Sequence, residues 1–349
     1  MPVYNALRHP GIAAALGAAL LFGAGTPLAK WLLDAVSPWL LAGLLYLGSG
    51  LGLTLYRALR RAPAVRLAPG DTLWFAGAIV AGGIVGPVLL MLGLAGMPAS
   101  GASLLLNAEG VFTALLAWFA FRENFDRRIA LGMAAIAAGA IVLSWPGEAR
   151  FAGPWPTLAV LGACLAWAID NNLTRRISFT DARWIAAVKG SVAGVANLAL
   201  AWSLGASLPS LPVIAGAMTV GLFAYGVSLA LFVVGLRHLG TARTGAYFSI
   251  APFFGALVAV AMGDALTPRL LAGGALMALG TWLHLTERHK HEHAHPALLH
   301  DHEHSHDEHH RHEHEVSVAA GTRHRHPHWH EPLAHSHTHY PDELHRHGH

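Results

Sequence analysis

Polar side chains set inside apolar sequence are the first candidates for chemistry. Asn107 and Glu109 sit within the run 99–121, Asp170, Asn171 and Asn172 within 156–176, and Lys189 within 183–204. In hydrocarbon each ionisable group costs several kcal/mol and needs a reason to be there. Glu109 lies about 14 Å from the start of its run at the helical rise of about 1.5 Å per residue, close to the middle. It suits cation binding or the carriage of a proton. Asn107, two positions earlier, faces the opposite way on an ideal helix and joins the same site only if the helix is unwound near Gly110. Asp170 and Lys189 lie at similar depths on consecutive runs, so they can pair and both keep their charge. The alternative has Lys189 reaching to the interface and Asp170 meeting Arg175 or water. Asn171 and Asn172 can bind a ligand or join helices. The set of Glu109, Asp170 and Lys189 favours a cationic or neutral ligand, or proton exchange, over an anion.

A second chemistry lies at the end of the chain. Residues 289–349 hold 22 of the 25 histidines, in alternating stretches such as 302–310 and 335–339. His289, His291, His293, His302, His304, His306, His309, His310, His312, His314, His335, His337 and His339 are the candidate metal ligands. Neutral imidazole suits Ni, Co, Zn and Cu(II), and the absence of cysteine from this stretch argues against Cu(I). No spacing matches a closed structural zinc site, so several weak, exchangeable sites are expected. Few apolar residues are present to offset the entropy of ordering, and the tail is expected to be disordered without a ligand. No resident cofactor is required.

The elements that carry these residues are apolar and long. The chain of 349 residues is 54% hydrophobic and 12% charged, against about 25% charged in a soluble domain. Ten segments are long enough to span a bilayer: 11–33, 38–57, 72–94, 99–121, 128–145, 156–176, 183–204, 212–236, 241–263 and 269–286. The first is too long for a cleavable leader and reads as a retained span. Lys and Arg alternate strongly between the connecting loops, fifteen on one side against Lys30, Arg150 and Arg269 on the other. Cytoplasmic enrichment of basic residues then puts both termini inside, in an inner (plasma) membrane of bacterial type. The net charge of +3 is spent on this orientation and gives no reason to expect nucleic acid. A lone Cys164 excludes an internal disulfide. The bilayer and a metal ion or small solute are the expected partners, and a homodimer is compatible with the sequence.

The chain also repeats itself. Leu16–Leu20 with Phe22 matches Leu161–Leu165 with Trp167, and the same offset pairs Lys30 with Arg175 and Trp39 with Trp184. Further on, Glu123, Arg128, Gly132 and Gly139 match Asp264, Arg269, Gly273 and Gly280. Five spans per repeat is an odd number, so the second copy must be inserted upside down, as in many secondary transporters. The expected fold is all-α, ten transmembrane helices as two inverted five-helix repeats (1–146 and 147–288), with a cytoplasmic tail (289–349).

Two such halves, each closing with a short acidic-basic loop and a Gly-rich last helix, resemble the EamA-type members of the drug/metabolite transporter superfamily. The carrying residues are Phe121-Arg122-Glu123 before Arg128–Gly132 and Met262-Gly263-Asp264 before Arg269–Gly273. The second acid departs from the family's usual Glu. The resemblance covers about residues 11–286 and implies secondary transport, generally export of metabolites. The tail lies outside it. Joined to the tail, it gives the leading expectation: a proton-coupled exporter of divalent transition metals, nickel or cobalt ahead of zinc. Glu109, Asn107, Asp170 and Asn171 would carry the ion, and the tail would collect it. The alternatives are a metabolite exporter whose tail buffers or senses metal, and a tethered metal reservoir that does not transport. The polar residues are too few and too separated for nucleophile, base and oxyanion donors, so no enzyme is expected.

Overall fold

The structure of the protein, a computed structural model, describes residues 10–65, 67–121, 127–144, 154–177, 180–285, 290–295, 298–304, 324–330 and 333–338. The first half of the helical part is α1 (Pro10–Leu32), α2 (Pro38–Leu59), α3 (Thr72–Ala95), a short α4 (Ala99–Leu105), α5 (Ala108–Phe121) and α6 (Arg127–Ser144). The second is α7 (Trp155–Arg175), α8 (Ala182–Ser203), α9 (Leu211–Gly221), α10 (Ser228–Phe248), α11 (Ala251–Ala261) and α12 (Pro268–Leu285). Short polar residues and prolines set the starts. Ser37 Oγ accepts from the Leu40 N–H at 3.4 Å just before Pro38, and Asp181 accepts from the Arg183 N–H at 2.9 Å ahead of α8.

Pro10–Leu32, Pro38–Leu59, Thr72–Ala95, Ala182–Ser203 and Leu211–Leu236 are each long and apolar enough to cross a membrane. Leu59, Leu73, Val195 and Leu257 turn outward, as side chains do where the solvent is hydrocarbon. This is a multi-pass membrane protein. Its helices meet through small residues, which substitute close backbone packing for a hydrophobic drive that lipid does not supply. A Cβ at Gly43 would sit 2.9 Å from the Leu198 nitrogen, and one at Gly194 would sit 2.5 Å from the Leu47 nitrogen, so α2 and α8 run antiparallel in contact. Between α6 and α12 the contact is reciprocal. A Cβ at Gly139 would fall 2.9 Å from the Gly273 carbonyl oxygen, and one at Gly280 would fall 2.5 Å from the Gly132 oxygen. The glycines matched in sequence are the glycines that touch.

Regular α-helix is interrupted at four places around the middle of the bundle. A π-helical segment occupies Ile79–Val85 within α3, and another occupies Leu222–Val227 between α9 and α10. Breaks separate α4 from α5 at Leu106–Asn107 and α10 from α11 at Ser249–Ile250. Position 222 lies 143 residues after 79, and 249 lies 143 after 106, so both kinds of interruption recur at one spacing. The unwinding expected near Gly110 thus occurs three residues earlier. There Asn107 draws on the Leu104 carbonyl oxygen with both its backbone N–H (3.0 Å) and its side-chain Nδ2 (2.9 Å), competing with the helical pattern. The loop expected at 237–240, with His238 in it, is also corrected: α10 stays helical from Ser228 to Phe248. That stretch holds no proline, and scattered glycines alone do not remove a donor.

In the histidine-rich segment the described residues form two antiparallel strand pairs. β1 (Lys290–His295) pairs antiparallel with β4 (Leu333–Thr338), and β2 (Leu298–His304) with β3 (His324–His330). The His-x-His alternation has the two-residue period of a strand.

Candidate functional site

Asp170 near the end of α7 and Lys189 on α8 form a buried ion pair, with side chains 7% and 3% exposed. Of the two arrangements open to the sequence, the pair is the one adopted. Asp170 also accepts from Thr174 Oγ1, one turn on, at 2.9 Å. The space for this pair comes from the π-helical segment of α3: a Cβ at Gly82 would lie 2.6 Å from the Asp170 Cβ. The same segment turns carbonyls out of the helical ladder, and neighbours receive them. The Gly82 oxygen accepts from Tyr46 Oη at 2.7 Å and from Trp167 Nε1 at 3.0 Å. The Gly83 oxygen, left without its usual partner because residue 87 is proline, accepts from Asn197 Nδ2 at 3.0 Å. Pro87 therefore has its freed carbonyl met by a side chain, as the hydrocarbon requires.

Glu109 stands in the first turn of α5, placed there by the break at Leu106–Asn107. Asn171 Nδ2 on α7 donates to its Oε1 at 2.7 Å. Glu109, Asp170, Asn171 and Lys189 together line a cavity of about 70 Å3 whose remaining wall is mostly aromatic: Phe22, Tyr46, Trp167, Tyr225, Phe232 and Phe248, with Ala224, Ser228 and Leu229 between them. Phe22 meets Trp167 edge-on with centroids 5.7 Å apart, and Tyr46 lies 5.3 Å from Tyr225. Site residues sought in the sequence among polar side chains alone leave this wall out. The signal was present, since Phe22 and Trp167 are equivalent positions of the internal repeat.

Asn107 does not join the site. Its Oδ1 accepts from Thr281 Oγ1 at 3.4 Å, and its Nδ2 lies 3.9 Å from Met277 Sδ, so it bolts the α4–α5 break to α12. Asn172 donates to the Ala168 oxygen of its own helix at 2.9 Å. Among the described residues no group of three or more His, Cys, Asp or Glu is placed to hold a metal ion. Of the histidines expected to bind metal, His291 and His293 lie on β1, His302 and His304 on β2, and His335 and His337 on β4. His289, His306, His309, His310, His312, His314 and His339 lie outside the described residues, as does Glu123.

Ionic and polar contacts secure both ends of the bundle. At one end Arg57 pairs with Asp181, and Arg176 Nε lies 3.3 Å from Asp71 Oδ1. Partial burial pushes the Asp181 carboxyl up, but the Arg183 N–H and the guanidiniums of Arg57 and Arg183 outweigh it and hold the group below the usual carboxylate range. At the other end the Ser100 N–H donates to Asp264 Oδ2 at 2.8 Å, and Lys30 Nζ donates to the Leu94 and Ala95 oxygens at 2.8 and 3.2 Å. These groups border a larger cavity of about 540 Å3 that Arg269 also lines.

The sequence profile of the EamA-like transporter family matches residues 9–145 and again 154–286. An uncharacterized transporter of Methanothermobacter thermautotrophicus is 28% identical over 268 residues, covering 71% of this chain and 78% of that protein. A solved crystal structure superposes with a TM-score of 0.61 over 80% of this chain and 99% of its own, at 19% identity, a likeness of fold.

Proposed function

The chain belongs to the EamA-like transporter family, and from that premise we propose that it is a secondary transporter of a small organic solute bearing a protonated amine beside an apolar body. The observation that carries this reading is the cavity at Glu109. Six aromatic rings face it with the Glu109 carboxylate, which pairs with no cation among the described residues, while Asp170 is already neutralised by Lys189. Aromatic faces attract ammonium groups, by about 2 kcal/mol or more once water is excluded. Glu109 supplies the counter-charge and, when the solute leaves, takes a proton in exchange. The scheme takes the chain as ten spans in two inverted halves, with both termini cytoplasmic, an inner-membrane location and outward movement of solute. The reciprocal α6–α12 contact and the repeated interruptions agree with such a two-fold arrangement. In this reading the chain is not an enzyme.

A divalent transition-metal cargo is the second reading, and the histidine-rich segment is what favours it. It would need carboxylate and amide oxygens to carry nickel or cobalt, which prefer imidazole. Ligand-dependent thermal stabilisation of the purified protein separates the two. An alkyl or aryl amine should raise the unfolding temperature, its carboxylic acid analogue should not, and Glu109→Gln should abolish the effect. Stabilisation by Ni2+ that depends on Glu109 and survives removal of residues 289–349 would establish the metal reading instead.

A further inference from the structure

The transport reading leaves the histidine-rich segment unused, and the strand register there supports an inference that does not depend on what the helices move. On the outer ribbon His291 lies opposite His337 and His293 opposite His335. On the inner ribbon His300 lies opposite His328, His302 opposite His326 and His304 opposite His324. Residues two apart share a strand face, and directly opposed residues have Cβ atoms about 4.5–5.5 Å apart. Each ribbon therefore gathers its histidines on one face, while Glu292 opposite Ser336 and Glu303 opposite Arg325 belong to the other.

We propose that the opposed histidines of β1 and β4, and of β2 and β3, form a row of two-imidazole sites for divalent first-row transition cations. Imidazole nitrogen binds such ions at about 2.0–2.1 Å, a reach that suits two histidines at cross-strand spacing. Two protein ligands leave the rest of the coordination sphere to water, so these sites load and release metal. The pairs join stretches far apart in sequence, and metal binding is thereby coupled to formation of the ribbons. Register decides which histidines share an ion. A brush that bound by composition alone would have no such rule.

The test uses the full-length protein in detergent and counts Ni2+ retained per chain at a fixed, chelator-buffered free Ni2+ concentration. His293→Ala and His335→Ala should each lose about one ion, and the double variant should lose the same one, because both remove a single site. His293→Ala combined with His326→Ala, one from each ribbon, should lose about two. Equal losses in the two double variants, or no Ni2+ retained by the native chain, would overturn the proposal. Neither outcome bears on the solute bound at Glu109.

Discussion

The Asp170–Lys189 pair makes the cost of separating two buried charges measurable. Lys189→Met leaves Asp170 buried and unpaired, which should cost about 3–5 kcal/mol. Asp170→Asn together with Lys189→Met removes both charges and should recover most of the loss. Chemical unfolding in mild detergent would show it, and a double variant no better than the single would mean that the two groups do not interact. Asp181 gives a pH dependence of known sign. Its carboxyl is depressed in the folded protein, so its stabilisation is complete above the unfolded value of about 3.9 and is lost as pH falls through the lower folded value. Unfolding measured from pH 6 downward should steepen less with acid in Asp181→Asn than in the native protein. The pairing of Asp170 with Lys189 was legible because both residues sit at similar depth in consecutive runs. That Asn171 donates to Glu109, and that Asn107 turns to Thr281, was not. The neighbour that each amide meets depends on where α4 breaks from α5, and no Pro or Gly marks that place.

The helices are shaped by interruptions as much as by their apolar faces. In α3 the carbonyl freed by Pro87 accepts a hydrogen bond from Asn197 Nδ2. Asn197→Ala should therefore cost about 1–3 kcal/mol by orphaning a buried oxygen. The cost should shrink when Pro87 is also replaced by Ala, which restores an N–H to the helix. Thermal unfolding of the four-protein cycle measures this, and strictly additive losses would show that Asn197 serves something other than the freed oxygen. Where α6 crosses α12, Gly280→Ala should destabilise, because its Cβ would press on the Gly132 carbonyl, whereas Gly70→Ala meets nothing within 4 Å and should be silent. Most helix positions followed from apolar run length, the continuous α10 across 237–240 being the exception, and Gly132, Gly139, Gly273 and Gly280 were legible as a repeat. The π-helical segments were not. Nothing in Ile79–Val85 differs in type from the helix around it, and the segment is held by Tyr46, Trp167 and Asn197, which come from elsewhere in the chain.

For the whole molecule, membership of a transporter family and a cavity at mid-bundle meet at one residue. The aromatic wall is assembled from α1, α2, α7, the π-helical segment at Leu222–Val227 and α10. Periodicity within any one helix could not reveal it, although the Phe22–Trp167 correspondence pointed there. The metal reading drawn from the tail's composition stays with the tail, while the cavity itself presents rings and a carboxylate. The account stands or falls on Glu109 exchanging a proton for a positively charged organic solute. The direct measurement is internal pH in proteoliposomes loaded with a pH-sensitive dye when an amine gradient is imposed. The native protein should move protons against the amine, and Glu109→Gln should abolish that flux while remaining folded. Equal proton movement in the variant, or amine transport with no pH change in either protein, would contradict it.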